Sequence, residues 1–504
     1  MTPPRSTRRS APTRRRADAP PPRVVPRALA VIRDRLRRFD YTEAAVAERL
    51  EIPHIFTLRY SELPALRSRL ARRGTDPLSA LVRLFVFGDA LPTPRLERIL
   101  DPGFVQALVR TRLLRRRSGL ATATVALFPV AGAWIATDRR RDPFAREPVM
   151  YLGPDSYALA YLTPRTPRAS ALDLCTGSGV QAVLAARHTE RVVGVDIEPR
   201  ALAFARFNAA LNEVADRCRW VLGDLDTALA PGLRFDLLLA NPPFVPSPHE
   251  GTRALAYRDG GPRGDRVNAR LFAAIPARLT ASGLALVVTV IPLERDESPE
   301  EPLERWLGPR ADTGTIWLEQ GRERAEDYAL AQVRRPFGDS PEALERRYRQ
   351  WLRPLVRHGI TALSGGLAII KPHRGPSPPW IRSYRAGSAV TPVPEVAPRL
   401  VRGHEIAASV IFEDELLERR LRLAADIELT SLSRATETGL EPVGHAVECR
   451  GLPLESFAIG LVTALLLESL APGQSVREAC AAIDDEALPP VDELLELLRR
   501  GVLE

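Results

Sequence analysis

Four short apolar runs between residues 171 and 244 each break on a polar or conformationally special residue, and that repeat organises the chain. The first, 171–175, ends in Thr176-Gly177-Ser178-Gly179. An apolar run that stops on two close glycines and then resumes predicts a strand, a tight turn and a helix start. The second run, 192–195, stops at Asp196, and the third, 219–222, at Gly223-Asp224. The fourth, 235–240, stops at Asn241-Pro242-Pro243-Phe244. A fifth, 284–291, is almost wholly apolar, as a parallel strand buried on both faces should be. Runs at 315–319 and 360–370, the second containing Gly365-Gly366, are candidates to complete the sheet, with helices expected over 268–279, 325–333 and 341–357. The pattern predicts an open α/β sheet whose ligands bind at the carboxyl ends of the strands.

The flanks read differently. Residues 28–39, 42–50, 76–87, 94–100 and 104–112 have helical spacing, and Arg115-Arg116-Arg117-Ser118-Gly119 leads towards strand-like runs at 125–128 and 134–136. Short helices followed by a basic turn and strands suggest a helical, winged-helix-like domain over 28–150. The Gly-Pro-Ser-Pro-Pro stretch at 375–379 reads as a linker. Beyond it, helices are expected over 416–423, 454–469, 476–480 and 491–500. The expected division is a tail at 1–27, an N-terminal domain at 28–150, the α/β domain at 151–374 and a small helical C-terminal module at 375–504.

The strand ends carry the candidate chemistry. Gly177 and Gly179 allow backbone to approach a ligand that a Cβ would push away. Asp196 can accept two hydrogen bonds from a ribose diol, or cap the helix announced by Pro199. Asp224 can meet an exocyclic amine, or simply close a turn. Pro242 and Pro243 remove backbone donors and fix φ, so the Asn241 amide oxygen and the neighbouring carbonyls form an acceptor pair for a planar –NH2 group. Phe244 offers a face on which a planar amide or base can stack.

With these residues in this order, 169–290 resembles the class I S-adenosylmethionine-dependent methyltransferases that carry an Asn-Pro-Pro-aromatic motif. That group includes glutamine N5-, guanine-N2- and adenine-N6-methyltransferases. Ala254-Leu255-Ala256-Tyr257-Arg258-Asp259-Gly260-Gly261 and Gly264-Asp265 are similar to a loop of the glutamine enzymes. The loop after Phe244 departs from them in lacking an acidic-proline step. The resemblance implies a Rossmann-like sheet with an antiparallel last strand, S-adenosyl-L-methionine as cofactor, and residues 151–165 packed over it. It implies that Asp173, Thr176, Gly177 and Gly179 hold the methionine part, Asp196 the ribose and Asp224 the adenine edge. Asn241 and the Pro242 carbonyl, with Pro243 and Phe244, would grip the nitrogen that receives the methyl group. The expected substrate is a macromolecule, with RNA placed ahead of a translation protein methylated on glutamine. A non-catalytic nucleic-acid-binding scaffold is the further alternative, and the intact Asn-Pro-Pro-Phe motif counts against it.

Composition adjusts this picture modestly. Of the formal net charge of +9 over 504 residues, residues 1–27 supply +7 through eight arginines and one aspartate. That Pro- and Arg-rich tail has no apolar periodicity and reads as a disordered arm able to meet RNA or DNA phosphates. Lys371 is the single lysine, so the arginine excess reflects coding bias as much as partners. Cys175, Cys218, Cys449 and Cys480 are scattered without metal or disulfide spacing, which suggests a reducing, cytoplasmic setting and no metal. His249 is the one histidine near the motif and reads as a solvated loop residue. No run reaches membrane-spanning length, so no membrane partner is expected; the oligomeric state is not readable.

Overall fold

In a computed structural model of the protein, the residues described are 20–139, 149, 151–246, 257–309, 312–333, 340–373, 378–387, 392–436, 439–483 and 488–504. The arginine tail up to residue 19, His249, residues 254–256 of the loop and residues 375–377 of the linker lie outside them.

The N-terminal region begins with helices Pro26–Arg38 and Glu43–Leu50, the second capped by the Thr42 side chain, which accepts from Ala45 N. Helix Leu63–Arg72, not expected from the sequence, follows. The run at 76–87 is not one α-helix: Pro77–Leu81 is α, and Val82–Phe87 widens to a π-helix. Then come strand β1 (Ala90–Pro92), helices Thr93–Leu100 and Pro102–Arg110, and strands β2 (Leu114–Arg117) and β3 (Leu120–Ala123). The sheet order is β1-β3-β2, all antiparallel.

The strand-like runs at 125–128 and 134–136 do not join that sheet. They form a separate hairpin, β4 (Ala126–Val130) with β5 (Ala133–Thr137), which docks on the α/β domain. Asn208, in helix Pro199–Leu211, and Asn212, its C-cap four residues on, extend the hairpin's ladder. Asn208 accepts from Ala136 N at 2.8 Å and donates to Ala136 O at 2.9 Å, and Asn212 does the same to Trp134 at 3.0 and 2.8 Å. The buried Asn208 amide also donates to Ser178 O at 2.8 Å, tying the hairpin to the glycine turn.

The central sheet has eight strands: β6 (Arg168–Leu174), β7 (Thr189–Asp196), β8 (Cys218–Leu222), β9 (Phe235–Ala240), β10 (Leu279–Leu293), β11 (Thr313–Arg324), β12 (Ala362–Pro372) and β13 (Trp380–Arg385). Their order is β13-β11-β12-β10-β9-β6-β7-β8. Strands β6 to β10 pair in parallel, and β12 runs antiparallel to both β10 and β11. The fold is α/β of the Rossmann-like methyltransferase kind. All four motif-bearing strands therefore end on the same edge of the sheet, which is what the order of polar residues in the sequence required.

The C-terminal region corrects the expected boundary and its helical character. Strand β13 lies beyond the linker yet pairs in parallel with β11, from Gly314↔Trp380 to Glu319↔Arg385. After helix Val396–Ser409 comes a three-stranded sheet, β14 (Ile427–Thr436), β15 (Gly439–Cys449) and β16 (Phe457–Ile459). The run at 416–423 is helical only within Glu413–Leu417, and 454–469 splits into β16 and helix Leu461–Ser469 at Gly460. Helices Val476–Ala481, opened by a capping box of Ser475 and Glu478, and Val491–Arg499 complete the chain. Among the described residues no helix is long and apolar enough to cross a membrane.

Candidate functional site

Two cavities meet at the Asn-Pro-Pro-Phe turn. The first lies over the ends of β6, β7, β8 and β9, with Asp173, Cys175, Thr176, Gly177, Asp196, Asp224, Asn241 and Pro243 in its wall. The second is lined by Phe244, Asp155, Thr289 of β10, Gln320 of β11, Gly365 and Gly366 of β12, and Phe56 from the N-terminal region.

The turn after β6 is built from left-handed backbone. Cys175, Gly177 and Gly179 have φ of 56°, 54° and 77°. The strain at Cys175, a non-glycine residue, is of the kind concentrated at ligand-binding turns. The two glycines serve different ends. A Cβ on Gly177 would meet nothing nearer than the Cys175 carbonyl oxygen at 3.9 Å, whereas one on Gly179 would sit 2.8 Å from the Ala205 Cβ and 3.1 Å from Trp220. Gly179 is absent from the cavity wall: it is glycine so that helix Pro199–Leu211 and β8 can close on the turn.

Asp173, at 2% exposed, accepts from the Thr176 hydroxyl and from Ala182 N at 3.0 Å. Burial raises its pKa to about 7 and the charge of Asp196 adds to the rise, while the bonds from Thr176 and Ala182 oppose it. Asp196, at the end of β7, accepts from Gly177 N at 2.8 Å and from Glu198 N at 2.9 Å. Glu198, and not Asp196, is the N-cap of the following helix. Gly177 therefore gives its N–H to Asp196 within the protein. Burial holds the Asp196 pKa above its ordinary value, against those backbone bonds. Asp224 sits on the exposed rim and pairs with Arg270 at 2.8 Å.

Ile197 and Leu225 add apolar surface to a wall that also holds Ser178, Gln181 and Glu198. Ile197 is 52% exposed and Leu225 is 4% exposed. They offer surface for a flat ring. Tyr151, Leu152 and Ser156 close the cavity from the segment before β6. The Gln181 side chain holds that segment by donating to Ser156 O at 2.9 Å. Burial and the charges of Asp196 and Asp173 push the Cys175 thiol up, so it is neutral and not a nucleophile.

Asn241 joins the two cavities. Its Nδ2 donates to Asp155 Oδ2 at 2.9 Å and to Ser156 Oγ at 3.3 Å. Burial raises the Asp155 pKa against the hydrogen bond from Asn241. With both amide hydrogens turned towards Asp155 and Ser156, the Oδ1 of Asn241 is left as a free acceptor. Pro242 is buried and lies in neither wall; Phe244 belongs to the second cavity alone. The loop beyond is pinned to the motif, because Val245 N donates to Arg258 O and Gly260 N to Val245 O, both at 2.9 Å.

The sequence did not single out Asp155 as a site residue, nor Ile197, Leu225 or Gln320. An isolated isoleucine after Asp196 in a predominantly polar turn was the one readable signal among them. Among the described residues no group of three His, Cys, Asp or Glu could hold a metal.

The first cavity suits a cofactor with a cationic end and a flat ring: a buried carboxylate stands at one side and apolar side chains at the other. The comparisons agree. A family model described as a methyltransferase small domain matches residues 155–294. A domain of unknown function (DUF7059) matches residues 38–124. The ribosomal protein uL3 glutamine methyltransferase of Bordetella pertussis is 31% identical over 255 residues, 47% of this chain and 84% of the relative. The release factor glutamine methyltransferase of Koribacter versatilis is 42% identical over 90 residues, 18% of this chain and 31% of the relative. The ribosomal protein L11 methyltransferase of Thermus thermophilus is 36% identical over 131 residues, 25% of this chain and 50% of the relative. This chain's parallel sheet, glycine turn and acidic strand ends thus accompany similarity to methyltransferases, and the chain belongs to the class I S-adenosylmethionine-dependent methyltransferases.

Proposed function

We propose that this enzyme methylates the side-chain amide nitrogen of a glutamine in a protein substrate. The observation that carries the reading is the Asn241 amide, fixed by Asp155 and Ser156 so that its oxygen is an acceptor at the junction of the two cavities. A planar –NH2 group held where the two cavities adjoin can give a hydrogen to Asn241 Oδ1, in the wall of the first, and stack on Phe244, in the wall of the second. Those contacts turn the nitrogen towards the first cavity and hold it there, which is the orienting part of catalysis.

S-adenosylmethionine supplies a methyl group on a positively charged sulfonium, and that charge drives the displacement. Asp173, Thr176 and Gly177 would hold its amino-acid part, Asp196 its ribose, and Ile197, Leu225 and Asp224 its base. The buried Asp173 carboxylate then has a cation beside it, which compensates for its desolvation. Among the described residues Asp155 and Glu323 are the carboxylates in the wall of the second cavity, and burial raises the pKa of both; the protein's main task is position and electrostatics, and the methylated amide releases one proton.

Two of the relatives above carry glutamine methyltransferase in their names, which moves protein ahead of the RNA favoured by the sequence reading. The RNA reading draws on the N-terminal region. There, β1, two helices and the β2–β3 hairpin are the elements on which the winged-helix-like reading rests, with Arg115, Arg116 and Arg117 exposed on β2. Arg116 is paired with Glu97 at 2.7 Å, which reduces the charge free for phosphate. The test is transfer of tritiated methyl from S-adenosylmethionine into a lysate of cells lacking this protein. Label in a protein, recovered as N-methylglutamine after digestion, is the expected result. Label confined to RNA and released by ribonuclease overturns the glutamine reading.

A further inference from the structure

Strands β11 and β12 pair residue for residue from Thr313↔Pro372 to Glu319↔Gly366 and then slip: Gly321 pairs with Gly365, and Gln320 has no partner. Gln320 is the extra residue of a β-bulge, a device that re-aims one side chain and is common beside active sites. The opposing strand is shaped for it. A Cβ on Gly366 would overlap the Leu318 carbonyl oxygen, so the pair Gly365-Gly366 lets the bulged strand lie close.

Gln320 lines the second cavity together with Thr289, whose register partner on β12 is Gly366. The Nε2 of Gln320 and the Oγ1 of Thr289 are both buried without a hydrogen-bond partner, and Thr289 is 2% exposed. Polar groups left in that state are costly and call for an explanation. Here the explanation is a ligand. Both groups can donate, both lie on the sheet side of the cavity, and the Asn241 oxygen across the motif accepts.

We infer that Gln320, supported by Thr289, donates to the carbonyl oxygen of the acceptor carboxamide and so selects glutamine; the inference rests on the glutamine reading above. A primary carboxamide carries a carbonyl oxygen and an –NH2 on one carbon; Gln320 and Thr289 offer the donors in the second cavity, and Asn241, in the wall of the first, offers the acceptor. A glutamate side chain lacks the N–H groups, leaves Asn241 Oδ1 unpaired and is rejected.

The test uses the full chain saturated with S-adenosylhomocysteine and follows binding of N-acetylglutamine methylamide, its glutamate counterpart and guanosine by ligand-observed NMR. The carboxamide is expected to bind the wild type, and about tenfold more weakly to Gln320→Leu and Gln320→Glu. Affinity for S-adenosylhomocysteine should be unchanged in both variants. The glutamate variant is nearly isosteric but cannot donate, so retained binding there means that Gln320 only fills space, and overturns the inference while sparing the glutamine reading. Guanosine binding without carboxamide binding overturns both. Binding of neither probe to the wild type removes the claim that this cavity is a carboxamide site.

Discussion

Asn241 Nδ2 lies 2.9 Å from Asp155 Oδ2, a contact that spans 86 positions of sequence and joins the wall of one cavity to the wall of the other. Asn241 and Ser156 face the cofactor side, and Asp155 faces the acceptor side. The pair fixes the orientation of the Asn241 amide, with its Nδ2 turned to Asp155 and Ser156.

Asp155→Ala should therefore reduce kcat by about 10–100-fold, the equivalent of a charge-assisted hydrogen bond, while cofactor affinity stays nearly constant. Burial raises the Asp155 pKa, so its anion is lost on acidification at a higher pH than an ordinary aspartate's. The transfer rate should fall on the acid side through that raised value, and Asp155→Asn should remove the acid limb. Single-turnover rates across pH check both.

Asp173 gives a second pH signature. Its pKa in the folded protein is raised to about 7, so the folded state holds this proton more tightly than the unfolded chain does. Its contribution to stability is present below the unfolded value of about 4 and is lost as pH rises through about 7. The cofactor-free protein should thus lose thermal stability across that window. S-adenosylmethionine, being cationic, should bind more tightly over the same window, by up to about tenfold per pH unit. Calorimetric titration of the wild type and Asp173→Asn checks this, since the variant should show neither trend.

The glycine turn separates packing from binding. Gly179→Ala should destabilise the fold by about 1–3 kcal/mol, because its Cβ meets Ala205 and Trp220 and its backbone is left-handed. Gly177→Ala meets no neighbour, so its cost should be that of left-handed backbone alone, about 1 kcal/mol, with the larger effect on cofactor affinity. Denaturant midpoints and cofactor titrations of the two variants should show opposite rankings.

What the sequence disclosed follows from how each signal is encoded. The parallel strands are legible because each is a largely apolar run that ends abruptly on the glycine turn, Asp196, Asp224 or Asn241, even where, as in the edge strand β8, it is not buried. The close packing at Gly179 is not legible in the sequence, because its partner Trp220 arrives from a strand 41 positions later and no local pattern announces it. Hairpin β14–β15 went unseen since most of β14 is exposed and carries no apolar alternation. The runs of β4 and β5 are legible as strands, but their docking is not, because their neighbours are two asparagines, one in and one capping a helix far along the chain. Gln320 could not be found at all: a bulge is a relation between two strands, not a property of either.

The N-terminal region is clamped to the methyltransferase domain by Arg200, which donates to Asp138 at 2.6 and 2.8 Å with side chains 16% and 7% exposed. Asp138 also accepts from Val149 N at 2.8 Å, and Val149 lines the cofactor cavity. Arg200→Met leaves a buried carboxylate unpaired and should cost about 3–5 kcal/mol. Cofactor affinity should fall with it, whereas an exposed pair such as Arg270–Asp224 should cost under about 1 kcal/mol in stability when Arg270 is replaced by Ala.

The most direct test of the account is Asn241→Ala, with S-adenosylmethionine affinity and single-turnover methyl transfer measured on the same preparation. Cofactor affinity close to that of the wild type with transfer reduced by about 10²–10³-fold is the predicted result, the scale of losing one preorganised hydrogen-bonding group at a reacting centre. Transfer at the wild-type rate would contradict it, because the nitrogen would then be held by something other than the amide that Asp155 and Ser156 fix in place.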